Sequence, residues 1–445
     1  MKLFLKLINP LVDYYVREMF TKQYGENPFI GITSLQKLGA KNVIEAQLRA
    51  QTGTILSRPY GSTINFSPWE KILMNPRQLF MFPTPSVAEI KTNVVIGKRC
   101  NKPLKLQMPI MLTGMSYGGS ISYQMSVALA KASKKVGTSC NTGESTIIKE
   151  VRKNASKVIG QFNRADLMKE EDLECLDAIE IQLGQGAWGG AVESVTDSSE
   201  ICSRLRKDWR MGIAEDRVFA SRMKDIQNKE DLINIVDTFK KSYDVPIGIK
   251  IAGTDFIEKE LDVITSTKCD YIVIDGCEGG TANSAPTLED NVGLPTLYSL
   301  MRAVKYLESK KIKDKFDLII AGGLTNPGDF LKALAIGANA VYIGSIALMA
   351  AVHNQATKAL PQNPPTQLFL NNGKNKDELN INKAAKSLSN FLTSCNEEMK
   401  LALQAMSKTD INQLSKKDLV SLDKEISEYA NINYVLPFNK KENNV

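Results

Sequence analysis

Short apolar runs alternate with longer amphipathic stretches along the chain from Met108 onward. The apolar runs are rich in Val and Ile and lack polar alternation, which is typical of strands that are covered on both faces. They predict eight strands, at residues 109–115, 137–141, 157–162, 178–183, 246–251, 271–274, 318–321 and 340–343. The amphipathic stretches predict helices, among them residues 123–135, 229–241, 258–267, 296–309 and 327–336.

Eight alternating strands and helices favour an α/β fold of the (β/α)8 TIM-barrel type, and an open doubly wound sheet is the alternative. Residues 91–355 would form this barrel. Residues 1–90 contain turn signals such as Pro59 and Gly61 and predict an N-terminal helical and irregular extension. Residues 356–445, with a helical region at 381–429, predict a C-terminal extension that packs on the barrel. A long insertion at residues 184–228 is expected to cover one end of the barrel.

Charge and cysteine content narrow the classes of function. The net charge of +7 is spread over 445 residues without a dense Lys/Arg block, which argues against nucleic-acid binding. Pro10, Asp13 and Arg17 interrupt the apolar N-terminus, so we expect no stable membrane insertion, although a weak surface contact stays open. The 7 cysteines form no CxxC pair, and we therefore expect reduced thiols in a cytoplasmic protein without a metal site.

Glycine-containing turns follow the last two predicted strands, at Gly322-Gly323 and Gly344-Ser345. Glycine at a strand end lets backbone N–H groups approach a ligand closely, and the helix N-terminus that follows favours an anion. Two such turns at βαβ spacing predict one phosphate site at the top of the barrel.

Other predicted strands also end in small or polar residues. Met115 and Ser116 follow the first strand, where small neighbours would let a flat ring lie against the backbone. Polar or small residues follow the second, third and sixth strands, at Asn141, Glu144, Gln161, Asp275, Gly279, Gly280, Thr281, Asn283 and Ser284. Because the carboxyl ends of parallel barrel strands meet at one face, we expect these residues to surround one site.

Lys250 lies inside the predicted buried strand Ile-Gly-Ile-Lys-Ile at residues 247–251. An unpaired buried ammonium is costly, so this lysine needs a partner or a ligand. One interpretation is a buried ion pair with Asp275 or Glu144. The other is a cation held over developing negative charge, such as that at the N1–C2 carbonyl edge of a reduced flavin.

The only histidine, His353, lies beyond the last predicted strand. A flavin 2-hydroxy-acid oxidase needs a histidine base at the barrel mouth, and His353 is instead expected on a surface helix. The sequence therefore argues against that class of oxidase.

Seven motifs lie at or near the predicted strand ends. They are Gly-Met-Ser-Tyr-Gly (114–118), Asn-Thr-Gly-Glu (141–144), Gly-Gln-Gly-Ala (184–187), Ile-Gly-Ile-Lys (247–250), Ile-Asp-Gly-Cys-Glu-Gly-Gly-Thr (274–281), Ala-Gly-Gly-Leu (321–324) and Tyr-Ile-Gly-Ser (342–345). In this order they resemble the FMN-binding domain of glutamate synthase in a stand-alone form. The resemblance runs from about Arg49 to Asn433.

This resemblance implies an FMN-binding barrel and assigns roles to residues. The FMN phosphate would bind at Gly322, Gly323, Gly344 and Ser345, and the ring would lie on Met115 and Ser116. Lys250 would lie near the pyrimidine edge, Gln161 would face the flavin, and Glu144 would assist proton transfer. Further cofactor contacts would come from Asn141, Asp275, Gly279, Gly280 and Thr281, and substrate contacts from Gly118, Gln185 and Trp188.

The chain departs from the family's pattern in four respects. Gln182 and Trp188 stand where family members usually carry lysines that handle the 2-oxo acid, and a dicarboxylate needs cationic partners. Residues 162–166 replace a Ser-Gly-Arg-Phe-Gly-like run. Only Cys395 follows the last strand, so no iron–sulfur cluster is expected. The first cysteine is Cys100, so no N-terminal amidotransferase domain is expected, and ammonia would come from solution or from a partner.

Three functions stay open at this point. The first is an FMN-dependent oxidoreductase of the glutamate synthase type, acting on CH–NH2 donors. It would aminate 2-oxoglutarate through 2-iminoglutarate, with hydride from reduced FMN, or run a related C–N redox reaction. The second is an FMN oxidoreductase for a different amine or imine, and the third is a non-catalytic FMN-binding electron-transfer subunit. Expected partners are a small 2-oxo acid or amine, an electron-donor protein or an ammonia-supplying subunit, and a homo-oligomer is compatible with the sequence.

Overall fold

The computed structural model describes residues 2–23, 26–27, 35–282 and 284–436. The chain divides into two compact units, Met1–Ser57 and Arg58–Val445. The first unit contains helices α1 (Lys2–Thr21) and α2 (Ala40–Thr52), in keeping with the predicted helical character of the N-terminus. The predicted boundaries at residues 90 and 355 both lie inside the second unit.

The second unit is built on a parallel sheet of eight strands. They are β1 (Ile110–Leu112), β2 (Ser139–Asn141), β3 (Lys157–Phe162), β4 (Ala178–Gln182), β5 (Ile247–Ala252), β6 (Tyr271–Asp275), β7 (Asp317–Ala321) and β8 (Ala340–Ile343). Each strand from β2 to β8 pairs with the next in chain order, and β8 pairs with β1. A bridge between Gly114 and Asn141 brings β1 beside β2. The predicted (β/α)8 barrel is confirmed, and the open doubly wound sheet is wrong.

Helices follow the strands and cover the barrel. They are α3 (Tyr123–Val136), α4 (Lys149–Asn154), α5 (Glu170–Leu173), α6 (Ser203–Asp208), α7 (Lys229–Ser242), α8 (Ile257–Thr265), α9 (Pro286–Asn291), α10 (Thr296–Ser309), α11 (Pro327–Ile336) and α12 (Ser345–Val352). The side chains of Ser122, Asn228 and Asn326 accept first-turn N–H bonds of α3, α7 and α11, which explains where these helices begin.

The predicted insertion after β4 forms short elements that lie outside the barrel sheet. It contains α6 and an antiparallel pair of short strands, Ser194–Thr196 and Arg217–Phe219. Because, among the described residues, these two strands pair only with each other, the insertion leaves the strand order of the barrel unchanged. A second antiparallel pair, Val94–Ile96 with Leu104–Leu106, precedes β1.

The two ends of the second unit pack on the barrel and on each other. The C-terminal part contains α13 (Ile381–Ala405), which packs against α3 and α12, and α14 (Lys424–Ala430). A short strand, Leu419–Ser421, pairs antiparallel with Ile72–Met74 and parallel with Asn433–Tyr434. The predicted C-terminal helical extension is thus present and joins the segment that precedes the barrel.

Among the helices of the described residues, none combines the length and apolarity needed to cross a membrane.

Candidate active site

A cavity of about 410 Å³ lies where the barrel strands end at their carboxyl termini. Its walls come from the residues that follow these strands, from the insertion after β4 and from residues 59–65 and 369–370. The carboxyl-terminal face of a (β/α)8 barrel is where active sites of this fold lie. The predicted insertion therefore covers the expected face.

The turns after β7 and β8 meet at this cavity. Gly322 and Gly323 have φ angles of 112° and 65°, which favour glycine, and an added Cβ on Gly322 would lie 2.4 Å from Thr296 Oγ1. Within the described residues, the backbone N–H of Gly323 donates to no protein acceptor. Ser345 begins α12, and among the described residues the N–H groups of Ser345 and Ile346 donate to no protein acceptor. The two turns therefore fit an anion such as a phosphate.

The loop after β6 closes against these turns. An added Cβ on Gly280 would lie 2.0 Å from Ser345 Oγ, so a larger residue there would displace the Ser345 side chain at the start of α12. Thr281 Oγ1 accepts a hydrogen bond of 3.0 Å from Trp188 Nε1, and the Thr281 carbonyl accepts one of 2.9 Å from the Tyr60 N–H. The predicted donor Asn283 lies outside the described residues.

Lys250 lies on β5 with an exposed fraction of 2%, and its Nζ is 3.2 Å from Asp275 Oδ2 on β6. Burial alone would lower the pKa of Lys250, but the charges of Asp275, Glu180 and Glu144 outweigh burial and raise it. The ammonium is therefore kept charged beside the cavity. Of the two partners considered from the sequence, Asp275 makes the ion pair.

A buried carboxylate that the sequence analysis did not single out organises the floor of the cavity. Glu180 on β4 is fully buried and accepts hydrogen bonds from Asn141 Nδ2 (3.1 Å), Gln161 Nε2 (2.7 Å) and Tyr342 Oη (2.9 Å). Burial, with the charge of Glu180, raises the pKa of Tyr342 well above its ordinary value, which keeps this hydroxyl a donor. Glu180 is a charged residue inside the apolar run Ala-Ile-Glu-Ile-Gln, and a charge inside an apolar run is the signal that pointed to Lys250.

Side-chain amides extend from this carboxylate toward the insertion. Gln161 Nε2 also lies 2.7 Å from Gln182 Oε1, and Gln182 Nε2 lies 3.3 Å from Gln185 Oε1. All three glutamines line the cavity. The predicted site residue Gln161 is thereby tied to Gln182, one of the departures from the family's pattern.

Glu144 lines the cavity in a two-pronged ion pair that the sequence analysis did not foresee. Its carboxylate oxygens accept from Arg164 Nε and Nη2, each at 2.8 Å. Arg164 Nη1 donates to the carbonyls of Val192 (3.2 Å) and Ala220 (3.0 Å) in the insertion. Arg164 thus joins Glu144 to the insertion, and it belongs to residues 162–166, where the chain leaves the family's pattern.

The cavity brings together most of the predicted site residues. Those in its lining are Met115, Ser116, Glu144, Gln161, Gln185, Trp188, Lys250, Asp275, Gly279, Gly280, Thr281, Gly322, Gly323, Gly344 and Ser345. Asn141 lies beneath the lining, where its Nδ2 donates hydrogen bonds to Glu180 Oε1 and Tyr342 Oη. Gly118 faces away from the cavity, because a Cβ there would lie 2.4 Å from the Trp209 ring. His353 is exposed at the end of α12, as expected.

Known structures share this fold at low sequence identity. A flavocytochrome b2 mutant aligns with a TM-score of 0.52 at 15% identity, covering 83% of this chain and 80% of its own. A mutant of the active chimera of (S)-mandelate dehydrogenase gives 0.51 at 15% identity, covering 84% and 94%. These identities show a common fold alone.

Sequence comparison identifies a family. The archaeal-type glutamate synthase (NADPH) of Thermotoga neapolitana is 30% identical over 339 residues, 70% of this chain and 66% of the relative. The glutamate synthase large subunit-like protein of Rhizobium meliloti is 28% identical over 410 residues, 87% of this chain and 92% of the relative. The chain thus spans about two thirds of the length of the first relative. Because the conserved region in glutamate synthase matches residues 71–409, the chain belongs to the glutamate synthase family.

Proposed function

We propose that this protein is an FMN-dependent oxidoreductase of the glutamate synthase type that reduces or oxidises a C–N bond. The observation that carries the proposal is the meeting, in one cavity, of two anion-fitting glycine turns with the buried cation Lys250. When bound, FMN supplies the exchange of a hydride with the carbon of the C–N bond. Reduction of an imine adds this hydride to carbon and a proton to nitrogen.

The chain's own residues would hold the cofactor. The backbone of Gly322, Gly323, Gly344 and Ser345 suits the phosphate, because the turns present N–H groups and the N-terminus of α12. Lys250 keeps a positive charge, secured by Asp275, on the cavity wall. A fixed cation of this kind stabilises negative charge that develops nearby without reorganisation.

Glu144 is the group proposed to assist proton transfer at the C–N nitrogen, taking up a proton when the bond is oxidised and returning it when the bond is reduced. It lines the cavity, and Arg164 fixes its carboxylate through two hydrogen bonds. The fixed geometry keeps Glu144 Oε1 and Oε2 in place for proton exchange with a bound ligand. The insertion, anchored by Arg164, would keep water from the reacting atoms.

The test uses flavin-loaded full-length protein and the Glu144→Ala variant. We expect the rate of reoxidation of the reduced protein by an imine acceptor to fall about 100-fold, as for a missing acid–base group. Flavin content should stay unchanged. The matched control is Glu230→Ala at an exposed position of α7, which should keep the wild-type rate.

An unchanged rate in Glu144→Ala would contradict this role of Glu144, and a wild-type protein that no imine reoxidises would favour the alternative of a non-catalytic electron-transfer subunit. An electron-donor protein, an ammonia-supplying subunit, a homo-oligomer and a cytoplasmic location stay predictions. So does the expected lack of an iron–sulfur cluster. The choice between 2-oxoglutarate and another substrate depends on the charges of the cavity.

A further inference from the structure

Four consecutive apolar side chains, at residues 79–82, lie exposed in the segment that precedes the barrel. The exposed fractions are 80% for Leu79, 99% for Phe80, 46% for Met81 and 69% for Phe82. Single exposed apolar side chains are ordinary on a protein surface, whereas a contiguous apolar patch marks an interaction site. We call residues 79–82 the apolar tip.

The backbone on both sides of the apolar tip is fixed to the end of α13. The Arg77 N–H donates to the Ala405 carbonyl (2.8 Å), and the Thr84 N–H donates to the Gln404 carbonyl (2.9 Å). Thr84 Oγ1 donates to the Lys408 carbonyl (2.9 Å). The exposure of the tip is therefore a feature of the folded unit rather than of a fraying chain end.

The segment that contains the apolar tip is strongly basic. Residues 75–107 hold six cations and one carboxylate, Glu89, so their net charge is +5, against +7 for the whole chain. The cations are Arg77, Lys91, Lys98, Arg99, Lys102 and Lys105. Arg77 pairs with Asp418 and Lys102 with Asp244, while the other four form no ion pair within the described ranges. Most of this positive charge is thus available to a partner.

The basic segment lies at the amino-terminal face of the barrel. The Gly97 N–H donates to Asp317 Oδ2 (2.7 Å), on the first residue of β7. The Lys102 N–H donates to the Asp244 carbonyl (3.0 Å), just before β5. The active-site cavity lies where the same strands end, so the two surfaces are on opposite faces of the barrel.

An open cavity connects this face with the anchor of the apolar tip. Its lining includes Lys91, Lys135, Lys400 and Gln107. Lys135 lies in the last turn of α3 and Gln107 just before β1, which places both at the amino-terminal face. Lys400, which pairs with Glu397 (2.8 Å), lies in the part of α13 that leads to the tip. The apolar tip and the basic segment therefore belong to one surface.

A lipid bilayer with anionic headgroups fits this surface better than other partners do. Apolar side chains enter the boundary below the headgroups, and lysine and arginine stay with the phosphates. A symmetric dimer through this face would place the basic segment against its own copy, and like charges repel. A nucleic acid would match the charge but would leave the apolar tip without an apolar partner.

We propose that the amino-terminal face of the barrel docks on an anionic lipid bilayer, with residues 79–82 inserted and the cations of residues 91–105 on the headgroups. The contact is peripheral, because four residues are far too few to cross a bilayer. Docking turns the active-site cavity away from the lipid. The inference goes beyond the proposed function and is independent of it, because no residue of the cavity lining lies between 75 and 107.

The test is flotation of full-length protein with vesicles of two compositions, phosphatidylcholine alone or with about 30% phosphatidylglycerol. We expect partition into the anionic vesicles to be at least about tenfold stronger than into the neutral ones. This preference should shrink when the salt concentration is raised from about 0.1 M to about 0.5 M, because salt screens exposed charges. Equal partition into the two kinds of vesicle, or no binding to the anionic ones, would overturn the proposal.

One variant tests the apolar tip. Phe80→Ser should weaken partition into the anionic vesicles about tenfold, because an apolar side chain no longer enters the boundary. Its unfolding midpoint should match that of the wild type, since the Phe80 side chain is 99% exposed. The matched control is Ile213→Ser, 95% exposed in the insertion after β4, which should bind as the wild type does.

A double variant tests the charge. Lys98→Gln with Lys105→Gln should weaken binding to the anionic vesicles about tenfold or more and leave binding to the neutral vesicles unchanged. The matched control is Arg222→Gln with Lys224→Gln, exposed in the insertion after β4, which should change neither. Flavin content and reoxidation rate should be the same in all these variants, so a failure of the proposed function would leave this test intact.

Three further outcomes would overturn the proposal. Wild-type binding of Phe80→Ser to the anionic vesicles would show that the apolar tip is not inserted. Self-association in sedimentation that Phe80→Ser abolishes, without vesicle binding, would identify a second copy of the chain as the occupant. Binding of a short DNA duplex that is tighter than binding to the anionic vesicles would identify a nucleic acid instead.

Discussion

Lys250 and Glu180 place opposite charges in the interior of the barrel, on the neighbouring strands β5 and β4. Each has partners that offset its desolvation: Asp275 for the ammonium, and Asn141, Gln161 and Tyr342 for the carboxylate. Buried charges are tolerated only when they are paired and hydrogen-bonded. Removing one of these charged side chains should therefore leave the charge of its partner buried without compensation.

Substitution of Lys250 by Met should lower the free energy of unfolding by about 3–5 kcal/mol, because Asp275 and Glu180 would lose their buried cation. Denaturant unfolding of the purified protein measures this loss. Lys241→Met, at an exposed position of α7, is the control and should change stability by less than about 0.5 kcal/mol. A loss in Lys250→Met no larger than that of the control would contradict this account of the floor of the cavity.

The pH dependence of this contribution has a definite sign. The native pKa of Lys250 is raised above its ordinary 10.5 by Asp275 and Glu180, despite burial. Its stabilising contribution is thus complete below pH 10.5 and is lost as the pH rises through the raised native pKa. The difference between wild type and Lys250→Met should stay constant from neutral to mildly alkaline pH.

Residues in the site differed in how far the sequence could predict them. Lys250 was found because a charge inside an apolar run demands a partner, and Glu180 carries the same signal. Arg164 could not be found this way, because it lies in a polar turn and its partner Glu144 is 20 residues away in the chain. Its role depends on the insertion carbonyls, whose positions no local pattern encodes.

At the scale of elements, Asp177 joins the starts of β3 and β4. Its carboxylate accepts from Arg152 Nη1 (2.6 Å), Lys157 Nζ (3.0 Å) and the Val158 N–H (2.9 Å). Burial alone would raise the pKa of Asp177, but these three donors outweigh burial and lower it. Strand pairing at this end of the barrel is thereby coupled to an ionised side chain.

Asp177→Asn should lower the free energy of unfolding by about 1–3 kcal/mol at neutral pH, since the hydrogen bonds to a charged acceptor are weakened. Because the native pKa of Asp177 is lowered, its stabilising contribution is complete above pH 3.8, the ordinary pKa of the group. The contribution is lost as the pH falls through the lowered native pKa. Urea unfolding measured at neutral and at acidic pH checks both statements. Asp225→Asn, exposed in a loop, is the control. A difference that persists unchanged in acid would contradict the ionic origin.

The elements themselves were largely predictable from the sequence. The strands predicted at residues 157–162 and 340–343 agree fully with β3 and β8. Short Val- and Ile-rich runs of this kind are typical of strands that are buried on both faces. The helix at 258–267 was placed too late and runs from Ile257 to Thr265. Residues 59–65 were predicted only as irregular, since their place in the cavity wall depends on long-range contacts rather than on periodicity.

At the scale of the whole molecule, the described cavity lining belongs entirely to the unit that begins at Arg58. The first residues of this unit are tied to the barrel. Arg58 forms ion pairs with Glu289 (2.5 Å) and Asp290 (2.7 Å), and Ser67 Oγ donates to Glu278 (2.7 Å). The segment from Arg58 to Trp69 is therefore part of the site.

Two truncations test this organisation. A protein that starts at Arg58 should keep its FMN affinity within about twofold, because it retains every described residue of the cavity lining. A protein that starts at Lys71 should bind FMN at least about tenfold more weakly, since the wall from Pro59 to Trp69 is lost. Equal affinity of the two truncated proteins would show that this segment does not contribute to the site.

The central claim, that the glycine turns and Lys250 form an FMN site, is tested most directly by titrating purified full-length protein with FMN and following flavin fluorescence and absorbance. We predict saturable binding of one FMN per chain, with a dissociation constant of about 1 μM or lower. This constant corresponds to a binding free energy of at least about 8 kcal/mol in favour of the complex. Protein that is colourless as purified, and that changes neither the fluorescence nor the absorbance of added FMN, would contradict the account.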